Sequence, residues 1–336
     1  MANSQKISKK WASYRRHYHW FRLNEKTPNG PLFIKVEPTN VTNLERPAGL
    51  KESTRPEGFM DMSLFRKIID QAPGAGVREV TLFLDGEPLL HESISEMVKY
   101  VVSKSLEAWL VTNGSLLDEE KGKQLLDAGL DKMWIRMESD FREDYKKQGK
   151  EELFDTIVEN VSNLLRLRAA RNMRKPEVTV QILKTQQHPG ERIDPGFIAR
   201  FDGLGVDEFF MGNPHYWRED TGFDPKYSDK GYYPCIFFWS AISIVWDGRV
   251  VGCSADLNAN YILGDLNRES IMEVWNGAEM RRYRRLLKEN RYEELDLCAR
   301  CRGLWLMKHP KLSVLSELPV FEQMKNGAKR ILAKRT

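Results

Sequence analysis

Cysteine is scarce in this sequence: there are four in 336 residues, and none before position 235. That excludes a secreted disulfide scaffold, in which cysteines are dense along a short chain. Long hydrophobic runs are missing too, and nothing approaches the ~18 apolar residues of a membrane span. The first twenty residues, MANSQKISKKWASYRRHYHW, lack the apolar stretch of a secretory signal, so a cytoplasmic protein is expected. The six histidines (His17, His19, His91, His188, His215, His309) show no metal-ligand spacing. What is present is a globular composition, 41% hydrophobic and 30% charged. The length suits one large domain and a smaller one.

Charge of one sign is missing from the whole but not from the parts. The net charge is only +4, yet residues 1–30 carry +6 and residues 302–336 another +6, leaving −8 for the middle. Basic ends with aromatics such as Trp11, Tyr14, Tyr18 and Trp20 are one way to meet nucleic acid or anionic lipid. No reading element for bases accompanies them, so no nucleic-acid partner is expected and the ends are read as docking or solvated segments.

Hydrophobic periodicity alternates along residues 31–212. Apolar strand candidates lie at 31–40, 80–84, 108–114, 132–137, 177–183 and 207–212, with amphipathic helices at 64–72, 92–104, 118–128, 151–171 and 191–204. Six β–α repeats predict a parallel sheet with right-handed crossovers. The repeats stop near Pro214. After a polar, aromatic stretch, the run 242–256 carries Asp247-Gly248 between two β-rich segments, a hairpin signal. A basic amphipathic helix is predicted over 270–290.

The four cysteines, Cys235, Cys253, Cys298 and Cys301, are spaced 18, 45 and 3 apart. The first precedes the hairpin, the second ends it, and the C-x-x-C follows the helix. Four thiolates without a secretory context read as a metal site. They suit tetrahedral zinc or an iron–sulfur cluster, and spacing alone does not choose between these.

The frame around them does carry a resemblance. C-x17-C-x44-C-x-x-C, with W-D-G-x-V-x-x-C, Gly264-Asp265-Leu266 and Val274-Trp275, resembles the twitch unit of the radical S-adenosylmethionine (SAM) superfamily, the shortened form of the SPASM domain. Further matches lie upstream. Glu37-Pro38-Thr39-Asn40 resembles the end of that family's first barrel strand, and Arg55-Pro56-x-Gly58-Phe59-Met60-Asp61 resembles the segment after its cluster loop. Gly86-Glu87-Pro88 resembles the GGEP motif, with Asp85 replacing the first glycine, and Thr112-Asn113-Gly114 resembles the third-strand turn. The resemblance implies an α/β fold, a partial (β/α)6 radical-SAM-type barrel followed by a small α+β twitch domain. It divides the chain into a basic extension over 1–30, a degenerate barrel over 31–213, a linker over 214–231, a cluster domain over 232–305 and a basic tail over 306–336. It also implies one 4Fe–4S cluster on Cys235, Cys253, Cys298 and Cys301.

One departure from the family is decisive for function. Its members carry C-x-x-x-C-x-x-C after the first strand, holding the cluster whose open iron chelates SAM and delivers the electron that cleaves it. Here the segment reads Thr42-Asn43-Leu44-Glu45-Arg46-Pro47-Ala48-Gly49, and Asn43-Leu44 sets the register, so Thr42, Arg46 and Gly49 stand where thiolates belong. Formation of the 5′-deoxyadenosyl radical is therefore expected to be absent. Glu87, Thr112, Asn113 and Glu138 are the candidates left at the strand ends, where parallel sheets place ligands. Arg46 adds a guanidinium that suits an anion and repels a sulfonium, so weak SAM binding is expected. The expected role is a pseudoenzyme, or a partner or electron-transfer subunit for another protein of a sugar- or peptide-modifying pathway. The alternative is an enzyme with non-radical chemistry in the old SAM cavity.

Overall fold

The computed structural model describes residues 27–45, 53–183, 192–212, 232, 234–299, 301 and 304. Arg46, Gly49, most of the basic N-terminal segment, the segment 213–231 and the basic C-terminal tail lie outside the described residues. The chain forms two compact units, one drawn from residues 29–215 and 241–281, the other from 1–28, 216–240 and 282–336.

The larger unit is built on one nine-stranded sheet. Six strands, β1 (Phe33–Val36), β2 (Glu79–Leu82), β3 (Glu107–Thr112), β4 (Lys132–Met137), β5 (Glu177–Leu183) and β6 (Glu208–Gly212), run parallel in sequential order. Between them come α1 (Met62–Gln71), α2 (Ile94–Ser103), α3 (Glu119–Asp127), α4 (Arg142–Lys147), α5 (Glu151–Ala170) and α6 (Pro195–Ala199). This is the expected β–α alternation, with α4 as an additional short helix. Local chemistry sets the helix starts. Asp61, Asp118 and Asp194 each accept a hydrogen bond from a first-turn N–H of α1, α3 and α6, satisfying donors that a helix end leaves open. No helix among the described residues is long and apolar enough to cross a membrane.

Along β4 burial alternates strictly. Met133, Ile135 and Met137 are buried, while Lys132, Trp134 and Arg136 keep partial access. The apolar set packs with the helices: Ile135 and α5 residue Ile157 both press on Gly114. Equivalent positions on the neighbours (Ile34, Val36, Val80, Leu82, Leu110, Val178, Val180, Ile182) are closed to solvent. The opposite, inner face carries the polar and aromatic residues.

Beyond β1 the sheet continues into β7 (Ala241–Ile244), which runs parallel to β1, and then into antiparallel β8 (Arg249–Val251) and β9 (Ile262–Asp265). Asp247-Gly248 makes the β7–β8 turn as the sequence predicts, with Gly248 at φ +92°. The helix expected over 270–290 is broken in two, α7 (Ile271–Trp275) and α8 (Ala278–Lys288). A capping box, Ser270 with Glu273, starts α7, and Gly277 donates back to Val274 and ends it.

The smaller unit is held by aromatic pairs. Tyr232 stacks on Tyr292 at 5.3 Å and donates its hydroxyl to the Leu287 carbonyl. Phe238 stacks on Tyr283 at 4.9 Å, and Arg284 Nε donates to the Phe238 carbonyl at 2.7 Å. The last described helix, α9 (Asp296–Ala299), contains Cys298.

Candidate functional site: a strand-end network and two cysteine-bearing segments

At the C-terminal ends of β1, β2 and β3 a polar network closes on Glu87. Gly86 sits so close to the β1 loop that a Cβ there would lie 2.5 Å from the carbonyl oxygens of Thr39 and Val41, so only glycine fits. Glu87 N donates to the Val41 carbonyl at 2.8 Å. The buried Glu87 carboxylate accepts from Leu89 N (3.0 Å), Thr112 Oγ1 (2.7 Å) and Asn113 N (2.8 Å). Burial pushes its pKa above the ordinary carboxylate range, against the pull of those three donors. Asn113 reaches on to Asn43, which in turn donates to Ser115 at 2.8 Å. Three of the expected site residues, Glu87, Thr112 and Asn113, are thus brought together, and they bind one another. Glu138 stands apart: its backbone N–H donates to the Tyr145 hydroxyl, and its carboxylate, raised in pKa by burial, faces Lys150 and Gln148. Arg46 lies outside the described residues.

The start of the altered loop is tied to itself. Thr42 donates its hydroxyl to the Leu44 carbonyl (3.1 Å) and accepts from Leu44 N (3.3 Å). Both capacities of that hydroxyl are used in a local Ser/Thr turn.

A second buried cluster lies beside the first. Glu37, fully buried at the end of β1, accepts two 2.8 Å hydrogen bonds from Arg55. It also accepts from Trp246 N at 3.0 Å. Arg55 donates Nε to the Leu257 carbonyl and lies 4.0 Å from Asp85. Burial alone lowers the Arg55 pKa, but the hydrogen bonds and charge of Glu37 more than reverse that, so Arg55 is held above its usual value. This pair ties the β1 end to the segment after the altered loop and to the hairpin. Glu37 and Arg55 are 18 residues apart, and no local periodicity links them.

Of the cysteines, Cys253 and Cys298 are buried and Cys235 and Cys301 half-buried. Cys235, Cys298 and Cys301 belong to the smaller unit and Cys253 to the larger. Cys301 N donates to the Cys298 carbonyl at 3.0 Å, so a single turn of backbone joins the two cysteines. The Tyr232–Tyr292 stack pins the segment before Cys235 to the segment before Cys298. Ala255 N donates to Cys253 Sγ at 3.4 Å, the kind of N–H···S contact that supports a thiolate ligand. The donor chemistry therefore fits an iron–sulfur group. Among the described residues, no three His, Cys, Asp or Glu side chains are gathered around a single metal position.

Sequence reasoning did not single out Arg136, whose Nε is shut off from solvent with no hydrogen-bond acceptor among the described residues. The signal was available: period-two alternation in Lys132-Met133-Trp134-Ile135-Arg136-Met137 places Lys132, Trp134 and Arg136 on the face opposite the apolar one.

Comparison with known proteins agrees with this architecture. Residues 235–302 match the SPASM family model, an iron-sulfur cluster-binding domain. The chain is 23% identical over 311 residues to the tungsten-containing aldehyde ferredoxin oxidoreductase cofactor-modifying protein of Pyrococcus furiosus, covering 80% of this chain and 87% of that protein. It is 22% identical over 284 residues to the PqqA peptide cyclase of Gluconobacter oxydans, covering 74% and 77%. Among solved structures it resembles BtrN in complex with AdoMet and 2-DOIA, with a TM-score of 0.51 at 17% identity, covering 81% of this chain and 92% of that one. The fold is thus radical-SAM-like α/β with a C-terminal SPASM region.

Proposed function

For a chain that joins a SPASM iron–sulfur region to a radical-SAM-like sheet, we propose a role as an iron–sulfur protein that has lost SAM cleavage. It serves as a partner or electron-transfer subunit for another protein, in a pathway that modifies sugars or peptides in the cytoplasm. The observation that carries this reading is the segment Thr42–Gly49, which offers no thiolate and whose Thr42 hydroxyl is committed to Leu44. All four cysteines lie downstream and are the donor set for one 4Fe–4S cluster. Such a cluster supplies one-electron transfer when bound. The residues of the chain itself do the positioning: the Cys298–Cys301 turn presents two sulfurs, and Ala255 N–H steadies the Cys253 sulfur. At the strand ends, Glu87 is spent on holding Thr112 and Asn113, which leaves SAM a weak foothold.

Anaerobically purified protein tests the reading directly. It should contain about four irons and four sulfides per chain. With dithionite and SAM it should form 5′-deoxyadenosine no faster than a no-enzyme control. Calorimetry should place SAM binding no tighter than about 100 μM, roughly −5.5 kcal/mol. Stoichiometric zinc without sulfide, or 5′-deoxyadenosine above the control, overturns it.

A further inference from the structure

On the inner face of the sheet, the Arg136 guanidinium carries a charge that no carboxylate among the described residues pairs. Along β4, Lys132 meets Glu107 at 3.4 Å and lies 4.0 Å over the Trp109 ring, and Glu138 faces Lys150 and Gln148. Between them, Arg136 has no such counterpart among the described residues. Its guanidinium lies over the Phe83 ring, 5.0 Å from the centroid, and its Nε is shut off from solvent without a hydrogen-bond acceptor. Burial, with no carboxylate to offset it, lowers its pKa to about 10, so it remains charged at neutral pH. Keeping a guanidinium partly desolvated, with its Nε closed off and no counter-charge beside it, is costly, and folded proteins almost always supply a partner.

The surroundings of Arg136 describe what that partner looks like. Arg136 sits one residue from the end of β4, toward the strand ends where parallel sheets take ligands. In register with it are Gln181 of β5 and then Phe210 of β6. The Trp134 ring lies 6.2 Å from Phe210 and 6.1 Å from Trp109, so three rings form a strip across β3, β4 and β6. Phe210, 42% exposed, is among the largest apolar surfaces left open. A planar fork stacked on one ring keeps its N–H edge for a two-oxygen acceptor.

We propose that Arg136, Trp134 and Phe210 form a binding site for a small organic oxyanion that carries a flat apolar ring. The carboxylate or phosphate lies on the Arg136 fork and the ring lies on Trp134 and Phe210. This goes beyond the iron–sulfur reading and does not depend on it, since the site uses no cysteine and no cluster.

The test is calorimetric titration of the full chain, purified anaerobically, with benzoate, phenyl phosphate, benzyl alcohol, inorganic phosphate and SAM. Benzoate or phenyl phosphate should bind, and the tighter of the two identifies the head group. Benzyl alcohol and inorganic phosphate should each bind at least tenfold more weakly, because each lacks one half of the ligand. Arg136→Gln should lose at least tenfold for the anion, Arg136→Lys should fall between, and Phe210→Ala should lose severalfold. Arg136→Met should melt at a higher temperature than the unliganded wild type, because it removes a partly desolvated charge with no described counter-charge. Equal binding of benzyl alcohol, unchanged binding by Arg136→Gln, or no heat from any ring anion at millimolar concentration overturns the site. A lower melting temperature for Arg136→Met would show that the guanidinium serves the fold through Phe83. Micromolar SAM binding lost in Arg136→Gln would assign the cation to SAM and overturn the proposal. None of these outcomes changes the iron and sulfide content, so this site and the cluster reading stand or fall separately.

Discussion

Arg55 grips Glu37 through two parallel 2.8 Å hydrogen bonds, and both side chains are almost wholly withdrawn from solvent. The carboxylate closes β1, and the guanidinium belongs to the segment that re-enters the fold after the altered loop. The pair therefore holds the two sides of that loop in register whether or not the loop carries a cluster.

Removing one partner of that pair leaves the other charged and buried. Arg55→Ala should destabilise the protein by about 3–5 kcal/mol, measured by urea unfolding. The double variant Glu37→Gln/Arg55→Met should cost clearly less, because neither charge remains. If the double variant is as damaged as the single one, the ion pair is not the source of the loss.

Glu87 offers a different contrast. Three donors, Leu89 N, Thr112 Oγ1 and Asn113 N, converge on its carboxylate. Glu87→Ala should cost about 2–4 kcal/mol of stability, since buried donors are left without an acceptor. SAM affinity should hardly change. A variant with wild-type stability and abolished SAM binding would show that Glu87 serves a ligand.

The cysteines make a third test. Cys298→Ala should bleach the visible absorbance of the cluster. Hydrogen exchange should rise across residues 232–304, because metal binding and folding are coupled in small metal-held regions. Retained absorbance with unchanged iron would exclude Cys298 from the ligand set.

Glu79 predicts a pH dependence. It opens β2, is 7% exposed, and is pushed up to about 8 by burial, with Lys132 pulling down and Glu107 pushing up. A folded-state value above the unfolded one means that the native state prefers the proton. The cost is absent below about pH 4.5 and grows as pH rises towards 8. Glu79→Gln removes that cost, so its stability advantage over the wild type should grow by about 4 kcal/mol between pH 5 and pH 9. A difference that stays flat with pH would show that Glu79 is ionised in the fold at low cost.

Much of the sheet was legible because the strand and helix periods are different. Strands β4 and β5 fall where the apolar runs place them, and α5 follows its 3.6-residue repeat. The helix over 270–290 was misread because both halves share one amphipathic pattern, and the break rests on the turn at Asn276 and Gly277, where Gly277 N donates back to the Val274 carbonyl. Glu87, Thr112 and Asn113 were found through short motifs at strand ends. Their mutual hydrogen bonds were not visible, because side-chain pairing between neighbouring strands depends on register. The Glu37–Arg55 pair depends on tertiary placement alone, whereas the face that Arg136 takes was legible in the period-two pattern of β4 and only its want of a described counter-charge was not.

Strand β7 lies against β1, residue for residue, from Phe33↔Ala241 to Val36↔Ile244. The strand that leads into the hairpin and Cys253 is therefore the neighbour on which the first strand of the chain leans. A chain cut at residue 213 would be left with a bare row of amide and carbonyl groups along β1, an open edge that invites other chains to pair with it. Clipping off the cysteine-bearing part would thus yield a sticky fragment instead of an isolated barrel. The contributions of the two regions have to be separated by single substitutions in the intact protein.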